Sequence, residues 1–155
     1  AELPGNTWSG DGLPIERTSW VEKGVVKNLA YSRYWAGQKG VKPLSGSNRA
    51  IFEGGTASLE DLIKSTEKGI LVTRLWYIRM VDPQTVLLTG LTRDGTFYIE
   101  NGKIAFPVKN FRFNESPIIM LNNVEAMGKP QRSGNMMVPP MKIRDFTFSS
   151  LSDAV

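Results

Sequence analysis

The sequence predicts a mostly β domain of the α+β class: antiparallel sheets, or a partly closed barrel, with two or three short helices packed on it. Three observations carry that prediction. In YIENGKIAFPVKNF, residues 98–111, two alternating apolar runs meet at Asn101-Gly102. That pair suits a two-residue type I′ hairpin turn, because both central positions need positive φ. The run ILVTRLWYIRMV, residues 70–81, is dense in β-branched and aromatic residues and stops at Asp82-Pro83. Only a few short segments combine a helical apolar stripe with capping residues.

In chain order, residues 1–14 are rich in turn formers and read as an arm or loop ahead of a single domain over 15–155. Residues 16–22 and 25–29 read as paired strands around Lys23-Gly24. Residues 29–40, LAYSRYWAGQKG, read as a short helix stopped by Gly37 or Gly40. The Gly-, Ser- and Pro-rich residues 41–56 read as an ordered loop with one short strand over 49–53. The best-marked helix covers 58–68. Ser58 is its N-cap, Glu60 and Asp61 suit the positive end of the dipole, and Leu59, Leu62, Ile63 and Thr66 form the stripe. Gly69 is the expected residue past its end.

After the 70–81 strand, residues 86–92 read as another strand and Arg93-Asp94-Gly95 as a turn, before the Asn101-Gly102 hairpin. Pro107 has no N–H, so the hairpin's second arm is an edge there or bulges. Ser116 and Pro117 begin a further helix, with Gly128 past its end. Residues 129–136 read as a polar loop and 138–149 as a last strand. Its apolar side chains, Met141, Ile143, Phe146 and Phe148, share one face only if the register changes near Asp145.

Composition excludes several chemistries. The chain has 155 residues, no cysteine and no histidine. Disulfides, thiolate metal sites, Ser-His-Asp triads and HExxH zinc sites are therefore impossible within it. No apolar run approaches the ~20 residues of a membrane-crossing helix, and no signal-peptide pattern opens the chain. These features, with the lack of cysteine, lead to the expectation of a cytoplasmic protein and no membrane partner. The net charge of +4 is spread along the chain without a Lys/Arg run, so nucleic acid is not the expected partner.

Among candidate sites, Glu60 and Asp61 read as helix-start charges, and Asp82 and Asp94 as turn residues. EGGT, residues 53–56, lacks phosphate-loop spacing and reads as a chain reversal. The late methionines read as core filling. The substrate-binding candidates are Arg74, Trp76 and Tyr77, with Arg79 beside them. By simple alternation Arg74 and Trp76 face one side, and Tyr77 and Arg79 the other. They form either an exposed platform for a base or peptide, or a core strand whose Arg heads snorkel outward.

A larger pattern extends these readings. WVEKGVVKNLAYSRYWA, an EGG loop, SLEDLIKSTEKGILVT, LTGLTRDGTFYIENGKIAFPVKNF, NVEAMGK and VPPMKIRDFTFSS follow one another in that order. Together they resemble the C-terminal domain of the TldD/PmbA family, once called modulators of DNA gyrase, over about residues 14–150. The resemblance implies a zinc peptidase family acting on peptides, including peptide maturation, whose members pair as homodimers or heterodimers. It also implies that the C-terminal domain helps form the peptide cavity. Metal-binding members carry HExxxH upstream of the matched region and a late cysteine. This chain has neither His nor Cys, so no catalytic residue, metal ligand or cofactor is expected in it. It is expected to be either the C-terminal part of a longer protein or a non-metal member that partners an active subunit. The alternative reading is a small β module binding single-stranded nucleic acid or an acidic partner.

Overall fold

The structure, a computed structural model, describes residues 5–46 and 49–152. Residues 1–4 of the expected arm, 47–48 of the expected loop and 153–155 of the expected domain lie outside the described residues. The elements in chain order are β1 (Val21–Glu22), β2 (Val25–Val26), α1 (Arg33–Lys39), α2 (Leu59–Lys64), β3 (Lys68–Asp82), β4 (Leu87–Glu100), β5 (Lys103–Pro107), β6 (Asn110–Glu115), α3 (Pro117–Asn122), β7 (Val124–Met127), β8 (Gln131–Ser133), β9 (Met136–Val138), β10 (Met141–Ile143) and β11 (Phe148–Ser152). The chain divides into two compact units: Ala1–Phe52 with Arg132–Val138, and Glu53–Gln131 with Pro139–Val155.

In the first unit the β1–β2 pair is only two residues long on each side, and all four residues are exposed. The longer strands expected over 16–22 and 25–29 do not form, because an isolated two-stranded ribbon with no covered face is marginal. Helix α1 starts later than expected, at Arg33. Ser32 caps it by accepting from Trp35 N, and Gly40 closes it in the left-handed conformation. The short strand expected over 49–53 reduces to a single parallel bridge, Ile51 to Met137. The polar loop expected over 129–136 is instead the β8–β9 hairpin, turning at Gly134 with φ 58°.

The second unit is built on β4. Five antiparallel strands form one sheet in the order β11-β6-β4-β3, with β5 also paired to β4. β11 and β3 are not paired with each other, so among the described residues the sheet does not close into a complete barrel. The Asn101-Gly102 turn is as expected: Glu100 pairs with Lys103, and the turn residues have φ 49° and 74°. Asn101 N and Gly102 N donate to Glu67 O and Thr66 O, which explains where α2 ends. Residues 66–67 are held by the turn, the Ser65 and Thr66 hydroxyls donate back to Leu62 O, and the helix stops at Lys64 rather than 68. Gly69 is therefore a strand residue opposite Ile99. The capping expectation holds, since Ser58 and Asp61 bond reciprocally in a capping box.

Further expectations are corrected. Arg93-Asp94-Gly95 is a bulge within an uninterrupted β4, not a turn between two strands. Asp94 and Gly95 adopt φ 61° and 128°, and Thr73 Oγ1 donates to Arg93 O and Gly95 O. Helix α3 ends at Asn122, well before Gly128, because 124–127 are drawn into pairing with β10. Ser116 is its N-cap residue but makes no side-chain cap bond; its hydroxyl donates instead to Thr85 O. The expected last strand divides into β10 and β11, and the break falls at Asp145, φ 56°.

One face of the sheet holds an aromatic cluster: Phe113 with Phe146, Phe146 with Phe148, and Phe148 with Phe111, at centroid distances of 5.6, 5.1 and 4.9 Å. A Cβ on Gly90 would lie 2.6 Å from the Phe113 ring. Gly90→Ala should therefore push Phe113 out of place and lower stability by about 1–3 kcal/mol, read from urea unfolding. Glu115 is buried, and its two carboxylate oxygens accept from Ser116 N and Thr147 N. Glu115→Ala should cost about 2 kcal/mol by stranding those donors, a loss visible as a lower unfolding midpoint.

Candidate functional site

The outer edge of β3 has no strand partner among the described residues. Residues 73–81 on that strand are all exposed, in contrast to buried Gly90, Leu91 and Thr92 on neighbouring β4. Trp76 is 40% exposed and Tyr77 58%. A core strand with only its Arg heads outside would bury these rings, so β3 is not such a strand over residues 73–81.

The β3–β4 register decides which side chains share a face. Arg74 pairs with Arg93 and Trp76 with Leu91, but Arg79 pairs with Thr89. Three residue steps on β3 match two on β4, so a bulge sits at Tyr77 and Ile78. Tyr77 occupies it with φ 53°, a strained position for an aromatic residue. The bulge reverses the alternation. Arg79 comes to the same face as Arg74 and Trp76, not the opposite one that simple alternation assigns. Arg112 joins them, because it pairs with Leu91 from the far side of β4.

The contacts on this face are specific. The Arg74 guanidinium lies 4.4 Å from the Trp76 ring centroid and Arg93 lies 5.2 Å from it. Asp94 takes the Arg74 charge at 2.6 Å and lies 3.5 Å from Arg93. Arg79 stacks on Tyr77 at 4.4 Å. The structure thus forms two stacked groups, Arg74–Trp76–Arg93 and Arg79–Tyr77. Sequence reasoning found Arg74, Trp76 and Tyr77 but gave no role to Arg93 or Arg112, which arrive only through cross-strand pairing.

The other candidates behave structurally. Asp61 closes the capping box, and hydrogen bonds from Ser58 hold its carboxyl below the usual value. Asp82 accepts from Gln84 N and the Thr85 hydroxyl and is lowered for that reason, Thr85 first. The EGGT glycines press their backbone against Gly128 O and Met127 O. No group of three or more His, Cys, Asp or Glu among the described residues could hold a metal ion, and the chain has no His or Cys. The donor set does not fit a zinc site, which requires three protein ligands. No helix among the described residues is long and apolar enough to cross a membrane.

Hydrogen bonding from Arg79, reinforced by its charge, holds the Tyr77 phenol below its ordinary value of 10.0. A spectrophotometric titration of the chain's four tyrosines should show Tyr77 ionising ahead of an ordinary tyrosine. Arg79→Gln should move that early phase upward, and Tyr77→Phe should remove it.

Comparison with known proteins places this geometry in a family. A family described as the PmbA/TldA metallopeptidase C-terminal domain matches residues 4–150. The metalloprotease PmbA of Escherichia coli O157:H7 is 24% identical over 152 residues, covering 91% of this chain and 33% of that protein. A crystal structure described as a modulator of DNA gyrase from Bacteroides thetaiotaomicron superposes with a TM-score of 0.82 at 30% identity, covering 96% of this chain and 34% of that one. TldE from Thermococcus kodakarensis shares the fold, with a TM-score of 0.78 at 20% identity over 94% of this chain and 36% of its own. This chain spans about a third of the length of these relatives. An open antiparallel sheet with short capped helices, matched over residues 4–150, makes the chain a member of the TldD/PmbA metallopeptidase family, corresponding to its C-terminal domain.

Proposed function

We propose that this chain serves as the C-terminal domain of a TldD/PmbA-type metallopeptidase, a cytoplasmic hydrolase of peptides. In this reading it shapes the peptide cavity and contributes to pairing with a second subunit of the same family, as a homodimer or heterodimer. It supplies no metal ligand and is inactive alone, in keeping with its lack of His and Cys. Whatever metal chemistry the assembled enzyme performs would rest on residues outside this chain.

The observation that carries the reading is the free edge of β3. An extended peptide laid beside it would add a strand, taking main-chain hydrogen bonds from groups that have no strand partner among the described residues. Arg74, Trp76 and Tyr77 would contact the peptide's side chains. Trp76 supplies a large rigid surface at small entropic cost, which is the usual character of a binding hot spot.

Trp76→Ala should weaken binding of an extended peptide about tenfold, as truncation of an aromatic anchor does, while lowering the unfolding midpoint but leaving the chain folded. Fluorescence anisotropy with a labelled peptide measures the first and circular dichroism the second. Unchanged affinity in a folded variant would remove β3 from the site.

A further inference from the structure

The face that β3, β4 and β6 share is strongly one-signed in charge. Register places Arg74, Arg79, Arg93 and Arg112 on it, around Trp76 and Leu91. Two carboxylates stand near it. Asp94 is occupied by Arg74 and Arg93, and Asp82 by its own turn. Arg79 makes no ion pair among the described residues, and its guanidinium lies over the Tyr77 ring at 4.4 Å from the centroid. A guanidinium carries five N–H donors, so its bond to the Tyr77 phenol leaves others for an incoming carboxylate, and the stack has already cost it much of its rotamer freedom.

We propose that this face selects acidic segments: the peptide that pairs with the β3 edge carries an Asp or Glu side chain received by Arg79, which lies on the edge strand itself. The proposal rests on the peptide-binding reading above and adds the chemical class of the ligand. Charge complementarity and the neighbouring strand edge favour an acidic peptide over a nucleic acid. A peptide backbone can pair with that edge, whereas a phosphodiester strand supplies no amide donors to it.

The test uses the full chain and three labelled probes. One is an extended ten-residue peptide with two Glu in a Thr/Val background, the second its Gln twin, and the third a ten-nucleotide oligo-dT. The Glu peptide should bind about threefold more tightly than its twin at low salt, the effect of one exposed charge pair. The gap should close as salt rises and should also close in the variant Arg79→Gln. The comparison of twins on the unmodified chain stands even if that variant is unstable. Equal binding of the twins would overturn the acidic preference and leave the peptide-edge reading intact. Binding of neither peptide would overturn both. Oligo-dT bound more tightly than the Glu peptide, with a steep salt slope, would overturn the proposal in favour of nucleic acid.

Discussion

The pairing of β3 with β4 is the interaction on which the second unit depends. β4 is the spine: β3 lies along one side for most of its length, and β5 and β6 share the other. The β3–β4 ladder is not uniform. Near Val72 an extra residue lies on β4, in the Asp94-Gly95 bulge; beyond Trp76 an extra residue lies on β3, at Tyr77. The second irregularity restores the register that the first displaced. Between them, Arg74–Trp76 is held in an offset stretch of ladder, with Thr73 fastening the bulge across the strands through two carbonyls. The geometry of the Arg–Trp stack is thus a consequence of where two bulges fall.

The break between β5 and β6 lies opposite the same region. Thr92 and Thr96 are buried, and their hydroxyls bond to each other and to Asn110 Oδ1, while Phe111 N donates to Thr92 Oγ1. This small polar network occupies the gap that a continuous ladder would fill. Buried polar groups are tolerated when fully partnered, and then they fix one arrangement against alternatives. The network sets the point at which β6 starts along β4. It thereby sets Arg112 opposite Leu91 and Phe113 opposite Gly90. Phe113 goes to the aromatic face and Arg112 to the basic one, so the separation of the two faces follows from one register.

Much of this was legible wherever the deciding chemistry is local. Asn101-Gly102 and the Ser58 cap need only near neighbours, and both stand where the sequence puts them. Asp94-Gly95 has the same composition as a turn, and only Thr73 and the continuing β3 partner make it a bulge. Gly69 and Gly128 look like helix ends, but strand pairing claims the residues before them. At the site, the residue types of Arg74, Trp76 and Tyr77 were visible, whereas their arrangement was not. No glycine marks the bulge at Tyr77, so alternation sends Arg79 to the wrong face. Arg93 and Arg112 are 19 and 38 residues from Arg74 in the numbering, and only the sheet brings them near it.

An exposed edge carrying Leu75, Trp76, Tyr77, Ile78, Met80 and Val81 is a hazard by ordinary rules, since free edges with apolar side chains recruit one another. β3 carries the two protections that such edges use. Bulges interrupt its regular run of donors and acceptors at two places, beyond Trp76 and beyond Met80, and arginines stand among the apolar residues. A second β3 brought alongside would have to match those irregularities and bring like charges together. A short acidic segment would meet neither obstacle: it can pair within one regular stretch, and its charge is opposite. In the proposed reading, the features that keep the edge from pairing with itself are therefore the ones that choose its ligand. The strain at Tyr77 belongs to the same logic, because the bulge that interrupts the edge also carries Arg79 to the face where the other arginines lie.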